Sequence, residues 1–164
     1  MSASPGSLLL AAWLGASTLF ATVVAPAAFA VLPSRSLAGA LVGRVLPTVY
    51  TAGIVVAVAA MVLDRRGSGR APGARRAALV VMAVACAIAQ LVVAPRIERL
   101  RAEDGGGDML TQEDARRAAF GRLHTASAVC LLLAMLGAGT TIVLGALPAR
   151  ARRTQAGEPV TAPP

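Results

Sequence analysis

Apolar residues fill four long stretches of the chain, Leu8 to Leu32, Leu37 to Leu63, Ala77 to Ala94 and Leu123 to Leu147, and nearly every arginine is excluded from them. A bilayer core about 30 Å thick is crossed by about 20 mostly apolar helical residues. Each stretch meets or approaches that length with no charge in its central turns. The pattern predicts an all-α integral membrane four-helix bundle, with helices at 8–32, 37–63, 77–94 and 112–147. Breakers fall between them: Pro33 closes the first helix, Gly67 to Gly73 form a flexible second loop, and Pro148 closes the fourth. Pro26 and Pro47 lie inside the first two helices, where a missing N–H and a bulky ring predict local kinks. Gly105, Gly106 and Gly107 break the chain before Thr111, and Thr111 with Asp114 matches a capping box that starts the fourth helix near Gln112. Residues 1–153 form one transmembrane domain on this reading, and 154–164 a disordered cytoplasmic tail rich in Pro and small polar residues.

Composition supports this class: 56% of residues are hydrophobic, against about 45–50% in soluble domains. A net charge of +8 raises the question of nucleic acid. The basic residues, all arginine, sit in short loops without interleaved aromatics, so a topology signal is expected and a nucleic-acid partner is not. The second loop carries Arg65, Arg66, Arg70, Arg75 and Arg76 against Asp64, and the C-terminal flank adds Arg150, Arg152 and Arg153. The third loop mixes its arginines with six acids, and the first has Arg35 alone. Both termini are therefore expected in the cytoplasm, in a cell (inner) membrane, with the third loop outside. Ala28-Phe29-Ala30 fits a signal-peptidase site, but the apolar run before it is too long for a secretory h-region, so a retained spanning helix is expected. Cys86 and Cys130 fall mid-helix and are expected to behave as small apolar residues.

Small residues mark candidate helix contacts: Gly39 with Gly43, and Gly137, Thr141 and Gly145 at the same four-residue spacing. Packing within the bundle is the expected use, and a homo-oligomer or another membrane partner the alternative. A short repeat is also present. VVAP occurs at Val23 to Pro26 and again at Val92 to Pro95, and Gly43-Arg44 and Gly121-Arg122 follow in turn. Two tandem helix pairs would result, an arrangement known from transporters, whose sites lie at repeat interfaces. The repeat gathers Thr22, Arg44, Thr48, Gln90, His124, Thr125 and Ser127 near one end. Arg44, Gln90, His124 and Ser127 are the candidate polar cluster, because polar groups inside a membrane usually face the bundle interior and mark sites. The competing reading is that they only specify packing, with Arg44 and Arg122 reaching lipid phosphates.

Trp13, Leu14 and Gly15, then Pro26 and Phe29, and above all Phe120, Leu123, His124 and Ser127 resemble the transmembrane protein 205-like family of small four-helix membrane proteins. The likeness runs from Trp13 to Leu147 and implies the fold more firmly than a function. Bacterial members largely carry a domain-of-unknown-function label, and a eukaryotic relative is associated with resistance to a platinum drug. A more distant likeness is to copper-resistance and protoporphyrinogen-oxidase membrane proteins, which would imply copper or haem. One histidine cannot supply bis-histidine ligation, and the soft set Met82, Cys86, Cys130 and Met135 has the composition of core filler. No cofactor is expected. No nucleophile–base pair, paired carboxylates or phosphate loop is present in any segment, so an enzyme is not expected either. The chain reads as a multi-pass membrane protein, with three roles open: a transport or resistance component using a site near His124, a haem or copper protein, or an assembly protein.

Overall fold

A computed structural model describes residues 4–63, 71–103 and 115–147. Its helices are α1 (Pro5–Leu19), α2 (Ala25–Val31), α3 (Arg35–Leu63), α4 (Pro72–Ile88), α5 (Ala94–Glu103) and α6 (Ala115–Ala146). Two five-residue π-helical turns, Phe20–Val24 and Ala89–Val93, join α1 to α2 and α4 to α5. Four membrane-crossing spans result, α1–α2, α3, α4–α5 and α6, each long and apolar enough to cross a bilayer. Only 22–33% of each span's most apolar window is buried, so the outward faces, which carry Leu8, Val31, Leu91 and Val143, are made for lipid rather than water. The protein is a multi-pass helical membrane bundle.

The helices begin and end where local chemistry directs. Ser4 Oγ accepts the Ser7 N–H at 3.2 Å and Pro5 follows at the first turn, which starts α1 ahead of its apolar run. Ser34 does the same for Leu37 at the head of α3. The third span runs nine residues beyond the expected Ala94 boundary, through Pro95 to Glu103. A proline normally breaks a helix because its ring crowds the carbonyl four residues back. Here the preceding turn is widened: Ala25 donates to Phe20 O and Ala94 to Ala89 O, five residues back in each case. One extra residue in that turn relieves the clash, and the chain continues. The kink expected at Pro26 thus takes the form of a π turn, whereas Pro47 lies inside an uninterrupted α3. Gly73, expected in the second loop, lies in the first turn of α4 instead, whereas the capping box at Thr111 and Asp114, Gly67 and Gly69, Gly105 to Gly107, and the tail at 154–164 lie outside the described residues.

Packing follows a heptad-like seam. Buried positions are Gly6, Leu10, Trp13, Ser17 and Phe20 in the first span, and Ser127, Leu131, Ala134, Ala138 and Thr141 in the fourth. Alternating three- and four-residue steps give the shallow crossing of antiparallel bundles. The spans form a ring in which each packs on its two sequence neighbours and α6 closes against α1. One core cluster joins all four spans around Leu10, Trp13, Tyr50, Met82 and Leu131, and a smaller one, Phe20, Ala28, Ala38 and Val42, joins α2 to α3. Tightest of all is the contact of α6 with α4, where a Cβ on Gly137 would lie 2.6 Å from the Ala78 carbonyl oxygen.

The short sequence repeat extends into three dimensions. Leu10, Trp13, Ser17 and Phe20 of the first span match Leu79, Met82, Cys86 and Ala89 of the third, each pair 69 residues apart and all buried. The two π turns keep the same spacing. Tyr50, Gly53, Ala57 and Ala60 of α3 likewise match Leu131, Ala134, Ala138 and Thr141 of α6, 81 residues apart. The Gly-Arg pairs, 78 apart, are three residues out of this register, so they are not the equivalent positions that the sequence suggested. Equivalent spans stand opposite each other in the ring, so the pseudo-twofold axis runs along the bundle.

Gly137→Ala is expected to lower stability by about 1–3 kcal/mol, because the added methyl meets backbone that cannot rotate away. Gly139→Ala, with nothing within 4 Å of its Cβ direction, should be neutral. Unfolding of the two variants in detergent micelles checks the contrast.

Candidate functional site

Hydrogen bonds between spans define a polar layer across the middle of the bundle. Trp13 Nε1 donates to Val49 O at 2.9 Å, which locks α1 onto α3. The Tyr50 hydroxyl lies 2.8 Å from Ser127 O and 2.7 Å from Ser127 Oγ, both buried, and ties α3 to α6 across the ring. Gly53 lets these groups close: a Cβ there would lie 2.7 Å from Cys86 Sγ and 2.9 Å from the Trp13 ring. Thr141 satisfies its own hydroxyl on Gly137 O at 2.8 Å. Among the described residues, Ser17 Oγ and Gln90 Oε1 are buried without a hydrogen-bond partner. Such atoms are costly in an apolar interior.

Beyond this layer, toward the end where α2, α5 and the start of α6 lie, the two repeat-to-repeat interfaces differ. On one side Arg101 of α5 reaches across to α3 and donates from Nη2 to Gly39 O at 2.7 Å. Its guanidinium lies against Gly39 and Gly43, where any Cβ at Gly43 would collide with it. It also stacks 5.5 Å from the Phe120 ring centroid and stands 3.6 Å from Glu98. Pro47 cannot donate to the Gly43 carbonyl, so the guanidinium packs where the α3 ladder is interrupted. The small-residue pair Gly39 and Gly43 therefore receives an arginine, whereas Gly137 serves direct helix contact.

On the other side α6 packs along α1, while α2 packs on α3 instead. The seam lines of both partners show the interface parting. In the 69-residue register Val93 of the third span is 5% exposed, whereas its equivalent Val24 in the first span is 40% exposed. Along Ala138 and Leu131 of α6 exposure is 0% and 7%, and the next seam position, His124, is exposed. His124 thus occupies a seam position with no helix over it. In the 81-residue register Gly39 and Gly43 correspond to Phe120 and His124, and in the 69-residue register Arg101 corresponds to Leu32. Phe120 packs on the Arg101 guanidinium, so of the two rings it is the exposed His124 that stands where the equivalent interface has Gly43.

The sequence-chosen cluster is divided by this geometry. Ser127 is buried and bound to Tyr50, and Gln90 is partly buried with an unpartnered Oε1. Arg44 and His124 are exposed, so neither shares the interior position of Ser127. Of the family-pattern positions, Trp13 is buried and hydrogen-bonded, Phe120 and Leu123 are half-buried, and Gly15, Pro26 and Phe29 face outward. Met82 and Cys86 are in the main core cluster, with Cys130 and Met135 packed against it. Both cysteines are free thiols. An open groove of about 530 Å³ runs along α3 past Pro47, Thr48, Thr51 and Val55. All its walls come from one helix, so it is a lipid-facing hollow rather than a chamber. Sequence reading missed Tyr50, Ser17 and Arg101. Tyr50 was detectable as the chain's one tyrosine, placed mid-span. Arg101 was obscured because the third helix was expected to end before it.

A family model described as a domain of unknown function, DUF4149, matches residues 8–105, which takes in the first three spans. No curated protein and no solved structure matches the chain.

Tyr50→Phe removes the hydroxyl that joins α3 to α6 at Ser127, and an interhelical hydrogen bond in a membrane averages about 0.6 and reaches about 1.7 kcal/mol. A loss within that range is expected, with Ser127→Ala adding little in the double variant. A double-mutant cycle by denaturation checks it; full additivity would deny the pairing.

Proposed function

The chain belongs to the DUF4149 family, whose description carries no activity, and on that footing we propose that it is a ligand-handling component of a transport or resistance system. Its site on this reading is the outer edge of the interface between α1–α2 and α6, around the exposed His124. The observation that carries the reading is the difference between two repeat-equivalent interfaces, one bridged by Arg101 and one parted at His124. A pure packing role would be served by closing both. Parallel-repeat transporters place their sites at such interfaces, and polar residues within a span are site candidates in general. The Phe120, Leu123, His124 and Ser127 pattern, which follows the matched residues, supports a finer kinship with the transmembrane protein 205-like family.

The membrane on this reading is the cell (inner) membrane, with both termini inside. The support is the arginine excess of the loop between α3 and α4, Arg65, Arg66 and Arg70 with Arg75 and Arg76 beyond them. The open interface then faces outward. A metal-binding role has less support: Cys86 is fully buried over Gly53 beside the Trp13 ring, and the parted interface does not reach it.

Two measurements test this. In intact cells a membrane-impermeant maleimide is expected to label Pro33→Cys directly and Ala71→Cys only after permeabilisation, and the reverse would invert the topology. Growth under a panel of amphiphilic toxicants and soft-metal complexes should fall to the deletion level in His124→Ala. Unchanged growth with normally inserted protein would remove the ligand-handling role.

A further inference from the structure

The two repeats differ in where their apolar surface stops. In the first and third spans, which stand opposite each other, the apolar runs begin at equivalent residues, Leu8 and Ala77. The first run continues to Leu32, whereas the third ends at Ala94, the equivalent of Ala25. Those seven extra residues are about 10 Å of helix, so the first run is about 37 Å long and the third about 27 Å. A hydrocarbon core is about 30 Å thick. We propose that the lipid-facing surface of the bundle is a wedge that thins the bilayer beside α5, with hydrocarbon covering α2 while headgroups and water meet α5 at the same height. This goes beyond the ligand-handling reading and does not depend on it.

The matched helices α2 and α5 follow equivalent π turns and share a proline, Pro26 and Pro95, yet they differ in polarity. No residue of α2 is polar. One side of it packs on α3 through Ala28, and the rest leaves Phe29 46% and Val31 81% exposed. A helix that is apolar all round suits hydrocarbon rather than a protein partner edged by water. Its exposed face also continues, with no charged residue between, from the exposed Leu19 and Val23 of the same span. In α5 the equivalents of Ala27, Phe29 and Ala30 are Arg96, Glu98 and Arg99, all exposed. The adjacent spans agree, since exposed Leu41 of α3 corresponds to exposed Arg122 of α6 in the 81-residue register. Arg44, one turn inward on α3, reaches headgroups by extending its side chain, so the boundary descends from α2 through α3 to α5. Arg75 and Arg76 precede Ala77, so charges bracket the third span at both ends and sliding along the axis gains it no apolar length. A span shorter than the hydrocarbon is accommodated by thinning of the bilayer around it.

The test is the depth of nitroxide labels on the full chain in phosphatidylcholine vesicles. Single cysteines are introduced into the chain carrying Cys86→Ala and Cys130→Ala, and relaxation by oxygen against a water-soluble nickel chelate gives each label's distance from the membrane surface. Labels on Ala30→Cys and Phe29→Cys should lie about 10 Å deeper than those on the equivalents Arg99→Cys and Glu98→Cys. The Glu98→Cys pair leaves every arginine in place, so its agreement rules out an effect of the lost charge. At the opposite boundary, labels on Leu8→Cys and Ala77→Cys should lie at equal depth. Equal depths within the α2–α5 pairs would overturn the proposal. So would a compensating offset, with Ala77→Cys deeper than Leu8→Cys by a similar amount, because the bundle would then be tilted in a bilayer of even thickness. Dipolar broadening between Ala30→Cys labels on separate chains, with oxygen excluded, would put a second copy over α2 and overturn it as well. Circular dichroism and a monodisperse elution profile are required of every variant. If the Cys86→Ala, Cys130→Ala background fails to fold, the same labels are read with both native cysteines present, since Cys86 is fully buried and the unsubstituted chain measures any signal from Cys130.

Discussion

Inside a bilayer a backbone carbonyl has no water to turn to, and this constraint organises the bundle. Three long-range contacts between spans, made by Trp13, Tyr50 and Arg101, end on main-chain oxygens of Val49, Ser127 and Gly39. Trp13 and Arg101 each place a large side chain against a neighbouring helix where small residues allow approach, Gly53 for Trp13 and Gly39 with Gly43 for Arg101. The threonines Thr18, Thr22, Thr125 and Thr141 turn their hydroxyls back on carbonyls of their own helix. Polar chemistry in the described spans is therefore largely consumed in holding the structure. That makes the exceptions at Ser17 and Gln90 informative.

Much of the architecture was legible in the sequence, since a run of apolar residues of bilayer length has few other uses. The four spans, the interior location of both cysteines and the existence of a repeat were all visible there. Two features escaped for physical reasons. The third span outlasted Pro95 because a widened turn absorbs the proline, and residue type alone does not distinguish a relieved proline from a helix stop. The polar residues were read by depth along the chain, whereas their fate depends on helix rotation. Arg44 and Ser127 both lie within spans, but one faces out and the other faces Tyr50.

Small residues likewise acquired distinct uses that spacing could not separate. Gly137 permits backbone contact with α4, Gly43 makes room for a guanidinium, and Gly15 meets nothing. The shared four-residue spacing of Gly39 and Gly43 with Gly137 and Thr141 conceals these differences, because spacing places residues on one face without saying what lies opposite. It is the opposing residue that decides whether a small side chain is essential.

The π turns carry a further consequence. Each inserts one residue into the helical count, so the buried line that runs through Gly6, Trp13 and Phe20 resumes at Ala28 rather than one position earlier. The turn thus acts as a phase shifter: it sends the face of α2 toward α3 and away from α6. Because both halves carry the same shift, their main chains stay in step, and the choice between a shut and an open side falls to the residues facing each shifted segment. In the language of mechanics the bundle is a symmetric frame with one strut. Arg101 braces one side, and its counterpart on the other side, Leu32, has no group with which to brace.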